Sequence, residues 1–309
     1  MPFFETTDGT RLAYEDYGDG PPIVFVASWA LSAEMWEYQV PFFVERGYRC
    51  VLPERRGHGR SDRPARGYDL DTRTDDLAAL LEHLDLTSAT LVGHSAGGAE
   101  VANYLARHGT GRVVAAAFVA STLPALKRTA DNPVGLPDEA CATMIAQLRR
   151  DRPKWFADRA QGFFATHLGN DVSPALVEHT LRQCLATAPY ALAPVFRSTF
   201  ESDLRDVLRE LTLPVLVAHG TADQSAPVEV TGRRTAELCP AASTGSTRPP
   251  GTDCSSPIAT SSTRTCSRWS VRRRPWRAPP GSGWSGCRRR RARGTRPRAG
   301  LRGRPGSTS

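Results

Sequence analysis

Thr90-Leu91-Val92-Gly93-His94-Ser95-Ala96-Gly97-Gly98-Ala99-Glu100 is the stretch that decides the fold. Three apolar residues of strand character run into G-x-S-x-G, and a helix-compatible segment, Ala99 to Arg107, follows. Glycines on both sides of a serine permit a strand-to-helix turn too tight for a Cβ, which lifts the hydroxyl clear of the sheet. Five matching residues alone are weak evidence; strand before and helix after make them specific. The competing reading is a glycine-rich turn that binds phosphate at a helix N-terminus. Neither a P-loop lysine nor G-x-G-x-x-G accompanies it here.

Working outward, strand-like and helix-like segments alternate, which predicts a mostly parallel sheet covered by helices. Arg11 to Tyr17 alternates apolar and polar residues like a strand near a sheet edge, and Ile23 to Val26 is a short buried run. Ala33 to Glu45 reads as a helix and Arg49 to Leu52 as a strand, followed by a turn-rich loop from Pro53 to Gly67. Leu77, Leu80, Leu81 and Leu84 share one face of a helix over Thr74 to Leu84. Val113 to Val119 is the next buried strand. Residues 122 to 200 break the rhythm with prolines and with Trp155, Phe156, Phe163 and Phe164, and are expected to form a helical cap. A helix over Asp203 to Leu211, a strand at Pro214 to Ala218 and a helix over Val228 to Leu238 resume it.

Composition divides the chain in two. The net charge of +8 is +15 on residues 243–309, with 16 arginines, no lysine and the single acid Asp253, and −7 on residues 1–242. The expected domains are therefore a globular body, 1–242, and a tail, 243–309, rich in Arg, Pro, Ser and Gly. Such a tail buries too little apolar surface to offset its ordering entropy and is expected to be disordered. Seven scattered cysteines suggest neither a disulfide framework nor a zinc spacing. No run of about 18 apolar residues and no signal-peptide pattern is present. The expectation is a cytoplasmic protein with a small-molecule substrate and no membrane partner.

The elbow stretch resembles the α/β-hydrolase superfamily and, within it, the cofactor-free haloperoxidase/arylesterase (perhydrolase-like) group. Three further blocks carry the same resemblance: Arg55-Arg56-Gly57-His58-Gly59-Arg60-Ser61-Asp62, Asp131-Asn132-Pro133-Val134-Gly135-Leu136-Pro137, and Ala218-His219-Gly220-Thr221-Ala222-Asp223-Gln224. It runs from Pro2 to Ala242 and implies an α/β-hydrolase fold, no cofactor and no metal. It also implies residue roles: Ser95 as nucleophile in the elbow of Gly93, His94 and Gly97, and Asp223 as the carboxylate that orients a histidine base. Read without the resemblance, Asp223 is equally a turn residue. The oxyanion hole implied is the backbone N–H of Ala96 with that of Trp29. One departure touches the second donor. The family has His-Gly ahead of it, where this chain has Ala27-Ser28, and the Trp29 side chain also reads as plain pocket lining.

A second departure is larger. The histidines are at 58, 83, 94, 108, 167, 179 and 219, so none follows Asp223, where the family places its base. The family's last strand and last helix are not recognisable either. Back-translation of the tail offers a reason. Read from the third base of each codon, Ser243 to Gly251 permits Tyr-Arg-Val-Tyr-Pro-Pro-Ala-Gly, and the next residues permit His-Gly-Leu-Phe-Leu-Thr-His and an amphipathic helix start. We read the tail as the product of a changed reading frame near Ser243, and the chain as a serine hydrolase for small esters deprived of its base. Sequence does not separate hydrolysis from perhydrolysis. Two other readings remain: a non-catalytic binding protein on the same fold, and a nucleic-acid binder using Arg272-Arg273-Arg274 and Arg288 to Arg291 with Trp276 and Trp284 for stacking. No recognition motif accompanies those arginines, so any nucleic-acid binding is expected to be non-specific.

Overall fold

A computed structural model describes residues 2–247. Eight strands form one sheet in the order β1-β2-β4-β3-β5-β6-β7-β8. They are β1 (Phe3–Glu5), β2 (Arg11–Tyr17), β3 (Pro22–Val26), β4 (Arg49–Pro53), β5 (Ala89–His94), β6 (Val113–Val119), β7 (Val215–Gly220) and β8 (Ala242–Thr247). β1–β2 and β2–β4 are antiparallel and every later pairing is parallel.

The central strands are apolar runs because both faces of the sheet are covered. On one face Val24, Val26, Leu91, Phe118, Val215 and Val217 pack with Leu77, Leu80 and Leu81 of α2 (Leu70–His83) and with α3 (Ala96–His108). On the other, Ile23, Phe25, Val92, Ala117 and Leu216 meet Trp36 and Phe43. Successive residues thus alternate faces, as the pleat requires.

Local chemistry moved several boundaries. The helix expected from Thr74 begins a turn earlier, at Leu70, because the Asp69 carboxylate accepts the Thr72 amide at 2.8 Å and caps it. The single helix expected over Ala33 to Glu45 is instead a 3-10 turn, Ala33–Trp36, and a short α1, Gln39–Val44. Pro41 has no N–H to give to the carbonyl four residues back, so it is tolerated only in the first turn of a new helix. Between β6 and β7 stand α4 (Asp138–Arg150), α5 (Arg152–Phe164), α6 (Pro174–Ala186), α7 (Pro189–Glu201) and the short α8 (Arg205–Glu210), and α9 (Gly232–Leu238) precedes β8.

The last strand, which the sequence left out, is present. β8 pairs with β7 from Val215↔Ala242 to Gly220↔Thr247, and Ser243 Oγ donates to Val215 O at 3.1 Å. Strand pairing is made by backbone groups, so a Ser/Thr/Gly segment without an apolar pattern can fill the position, and it does so across the 242/243 composition change. The expected disorder of the tail from 248 onward, its arginine runs and the expected loss of the last helix lie outside the described residues. Among the described residues, no helix is long and apolar enough to cross a membrane.

Candidate active site

Ser95 sits between β5 and α3 with φ 53° and ψ −119°, a conformation that costs a residue with a Cβ and is held by its surroundings. Its N–H donates to Val119 O at 3.0 Å. Its carbonyl accepts from Gly98 N at 3.0 Å, Thr122 N at 3.3 Å and Ser121 Oγ at 3.2 Å. The elbow is therefore pinned to the loop after β6. Gly97 allows α3 to start against β3: a Cβ there would lie 2.5 Å from Val26 O and 2.6 Å from Ala27 O. Ala96 is the first residue of α3, so its N–H is one of the four donors a helix leaves without an internal partner.

The loop carrying Trp29 is held from two sides. Arg55 Nη2 donates to Ala27 O at 2.7 Å and Nη1 to Ser28 O at 3.1 Å. From the cap, Thr187 Oγ1 donates to Ala30 O at 3.1 Å and Ser32 Oγ to Gln183 Oε1 at 3.3 Å. Trp29 Nε1 donates to Leu192 O at 2.9 Å, and its ring packs against Trp155, Phe156 and Phe196 at centroid distances of 5.5–5.8 Å. The Trp29 side chain is thus a strut into the cap, while its backbone stays in the loop. Ser28 stands where glycine was expected, yet the positive φ of this loop falls at Ala30, 64°. Replacing glycine at 28 therefore forces no left-handed backbone on a residue with a Cβ.

Asp223 follows β7, and its Oδ1 accepts the amides of Ser225 at 2.8 Å and Ala226 at 2.9 Å. Oδ2 lies 3.4 Å from His219 Nε2. Burial raises the Asp223 pKa, but the His219 contact and the two amides outweigh it and leave the carboxyl below its ordinary value. His219 itself is committed to structure. Its Nε2 donates to Ala226 O at 2.7 Å, and its ring fills the space beside Gly232, where a Cβ would meet Nδ1 at 2.5 Å.

His94, next to Ser95, is turned toward Trp36. Its ring lies edge-on to Trp36 at 6.2 Å, and its Nδ1 is sealed from solvent without a hydrogen-bond partner. Burial lowers its pKa to about 4, against an opposing pull from Asp223. His94 also lines a cavity of about 90 Å³ with Leu31, Trp36, Phe163, Phe164 and His179. Of the four cap aromatics, Trp155, Phe156 and Phe164 are buried and Phe163 is partly exposed. Among the described residues, no group of three or more His, Cys, Asp and Glu gathers as metal ligands would.

Two histidines held below their ordinary pKa make stability depend on pH. Burial, reinforced by the Arg55 charge, lowers His58 to about 3, and burial lowers His94 to about 4. Unfolded histidine titrates near 6.5, so between that pH and the folded values the unfolded chain binds protons that the native state refuses. Stability is complete above pH 6.5 and falls as pH falls, by on the order of 2–3 kcal/mol per histidine at pH of about 4.5. Urea midpoints measured from pH 7 down to about 4.5 are expected to drop steadily. A flat profile would mean that these rings are solvated.

A buried ionic ring behind the site gave no warning in the motifs. Glu100 Oε1, on α3, accepts Arg55 Nε at 2.7 Å and also Arg73 Nη1. Arg73, on α2, reaches Ser198 Oγ of α7 at 2.8 Å. The available signal was Glu100 itself, the only Asp, Glu, Lys or Arg between Gly93 and Ala106.

Comparison with known proteins agrees with this fold. The family model described as alpha/beta hydrolase fold matches residues 21–251. A non-heme chloroperoxidase of Streptomyces lividans is 42% identical over 237 residues, which is 75% of this chain and 86% of the relative. A bifunctional esterase/perhydrolase of Acinetobacter calcoaceticus is 36% identical over 242 residues, 77% of this chain and 88% of its own. Among solved structures, a bromoperoxidase from Bacillus anthracis superimposes with a TM-score of 0.77 at 32% identity, covering 86% of this chain and 96% of that one.

Proposed function

Because this chain belongs to the α/β-hydrolase family, in its cofactor-free haloperoxidase and esterase group, we propose that it is a serine hydrolase of small esters that lacks the imidazole base of its relatives. The observation that carries the reading is the strained Ser95 at the head of α3, with the Trp29 loop fixed beside it and Asp223 held by two amides. Ser95 Oγ attacks the ester carbonyl, and the amides of Ala96 and Trp29 receive the developing oxyanion. The hydroxyl proton leaves to water or hydroxide, the alcohol departs, and a second water hydrolyses the acyl-Ser95 ester. Hydrogen peroxide in place of that water would yield a peracid, the chemistry that the name of the Acinetobacter relative gives to that protein.

Two histidines stand near Asp223, and the chemistry of each argues against a base role. His219 Nε2 is spent on Ala226 O, and His94, its pKa lowered to about 4, is turned onto Trp36. Removal of one member from a triad leaves about 10³–10⁴-fold catalysis over water, supplied by the oxyanion hole and binding. Full-length protein is therefore expected to hydrolyse p-nitrophenyl acetate at such a residual rate, climbing with hydroxide instead of levelling near pH 7. Ser95→Ala keeps the oxyanion donors and loses the nucleophile, so it is expected to lower the rate to the part that needs no acyl-enzyme. A rate undiminished in Ser95→Ala, or one that plateaus at neutral pH like that of an imidazole-assisted enzyme, contradicts the proposal.

A further inference from the structure

We propose that Arg55 is a positioning residue for the oxyanion hole, acting on the Trp29 N–H through the carbonyl of Ser28; this rests on the hydrolase reading above. Ser28 C=O and Trp29 N–H belong to one planar trans peptide, so they point in opposite directions. Arg55 Nη1 holds that oxygen at 3.1 Å, with Leu31 N at 3.3 Å as a second donor. Fixing the oxygen fixes the amide on the far side of the plane. The preceding peptide is held in the same way: Arg55 Nη2 takes Ala27 O at 2.7 Å, and the Ser28 N–H donates to Met35 Sδ at 3.2 Å. Both planes leading to the donor are thereby set by one guanidinium.

The guanidinium is itself held. Arg55 is 8% exposed and Glu100 3%, and the charge-assisted bond from Nε to Glu100 Oε1 at 2.7 Å fixes its orientation. Glu100 lies on α3, five residues past Ser95. The nucleophile and the second oxyanion donor therefore share one rigid connection, from α3 through Glu100 and Arg55 to the Ala27–Trp29 loop. Lysine cannot reproduce it, because a single ammonium does not present the planar fork that meets two carbonyls and a carboxylate together.

The position of an oxyanion donor matters only as charge develops, so a misdirected donor lowers kcat and leaves KM in place. The test follows the residual hydrolysis of p-nitrophenyl acetate by the full chain, with Ser95→Ala as the blank. Arg55→Lys is expected to lower kcat by about 10²-fold with KM within about twofold, the size of effect known for loss of one such donor. Glu100→Gln, which holds Arg55 without the full charge, is expected to lower kcat by about tenfold, again at constant KM, and decides the matter if Arg55→Lys does not fold. Unchanged kcat in either folded variant, or a loss carried wholly by KM, overturns the positioning role and leaves the hydrolase reading intact. A rate undiminished in Ser95→Ala overturns both.

Discussion

A chain whose codons after Ala242 are read from the third base is expected to hydrolyse p-nitrophenyl acetate about 10⁶-fold faster than the chain described here, because loss of a triad histidine costs about that much. The site is prepared for such a base on one side already. Asp223 Oδ1 is taken by two amides, and Oδ2, whose contact is His219 Nε2 at 3.4 Å, is the oxygen that an imidazole N–H from a later histidine would reach. A histidine arriving after β8 would accept the Ser95 proton and pass it to the leaving alcohol, with Asp223 fixing its tautomer. Synonymous codons exist with which the alternative frame encodes His-Gly at that point of the chain. The coding DNA from Cys239 to Cys266 tests the premise, since its third-base reading either spells Val-Tyr-Pro and His-Gly-Leu-Phe or forbids them. A folded, reframed chain no faster than the present one would show that the histidine is not what the site lacks.

Gly97→Ala is expected to damage both the fold and the site. The added carbon would lie 2.5 Å from Val26 O and 2.6 Å from Ala27 O, and both are backbone atoms of β3 and the loop after it. Neither can rotate away, so α3 must lift off the sheet and take Ser95 with it. Overpacking of this kind costs about 3 kcal/mol, out of a total stability of about 5–15. The urea midpoint is expected to fall accordingly, and the Ser95-dependent residual rate to vanish even in protein that remains folded. A variant with wild-type stability and rate would mean that α3 and β3 are further apart than these contacts require.

The sheet was legible because its central strands are buried on both faces and so appear as unbroken apolar runs, Ile23 to Val26 and Val113 to Val119 among them. The elbow was legible because its glycines answer to steric demands that few other residues meet. What escaped was set by single polar contacts or by none. The Asp69 cap lengthened α2 and Pro41 divided a helix, each through one backbone group. β8 escaped because its strand is specified by the exposed edge of β7 and not by its own side chains. Arg55 stands in a recognisable loop, but its partners lie 27, 28 and 45 residues away, and no local pattern announces a bond over such distances. Trp29 admitted two readings in sequence because one residue has two ends: its ring belongs to the cap, and its amide stays in the loop ahead of Ser95.

The central claim is that Ser95 is the nucleophile of a hydrolase working without its base, and the acyl-enzyme tests it most directly. Deacylation needs a base as much as acylation does, so an acetyl group placed on Ser95 should persist. The measurement is peptide mapping by mass spectrometry after incubation of the full chain with p-nitrophenyl acetate. The predicted result is acetyl-Ser95 as the principal adduct, absent from Ser95→Ala. An unmodified Ser95 in protein that hydrolyses the ester, or acetyl groups spread over lysines alone, would contradict it.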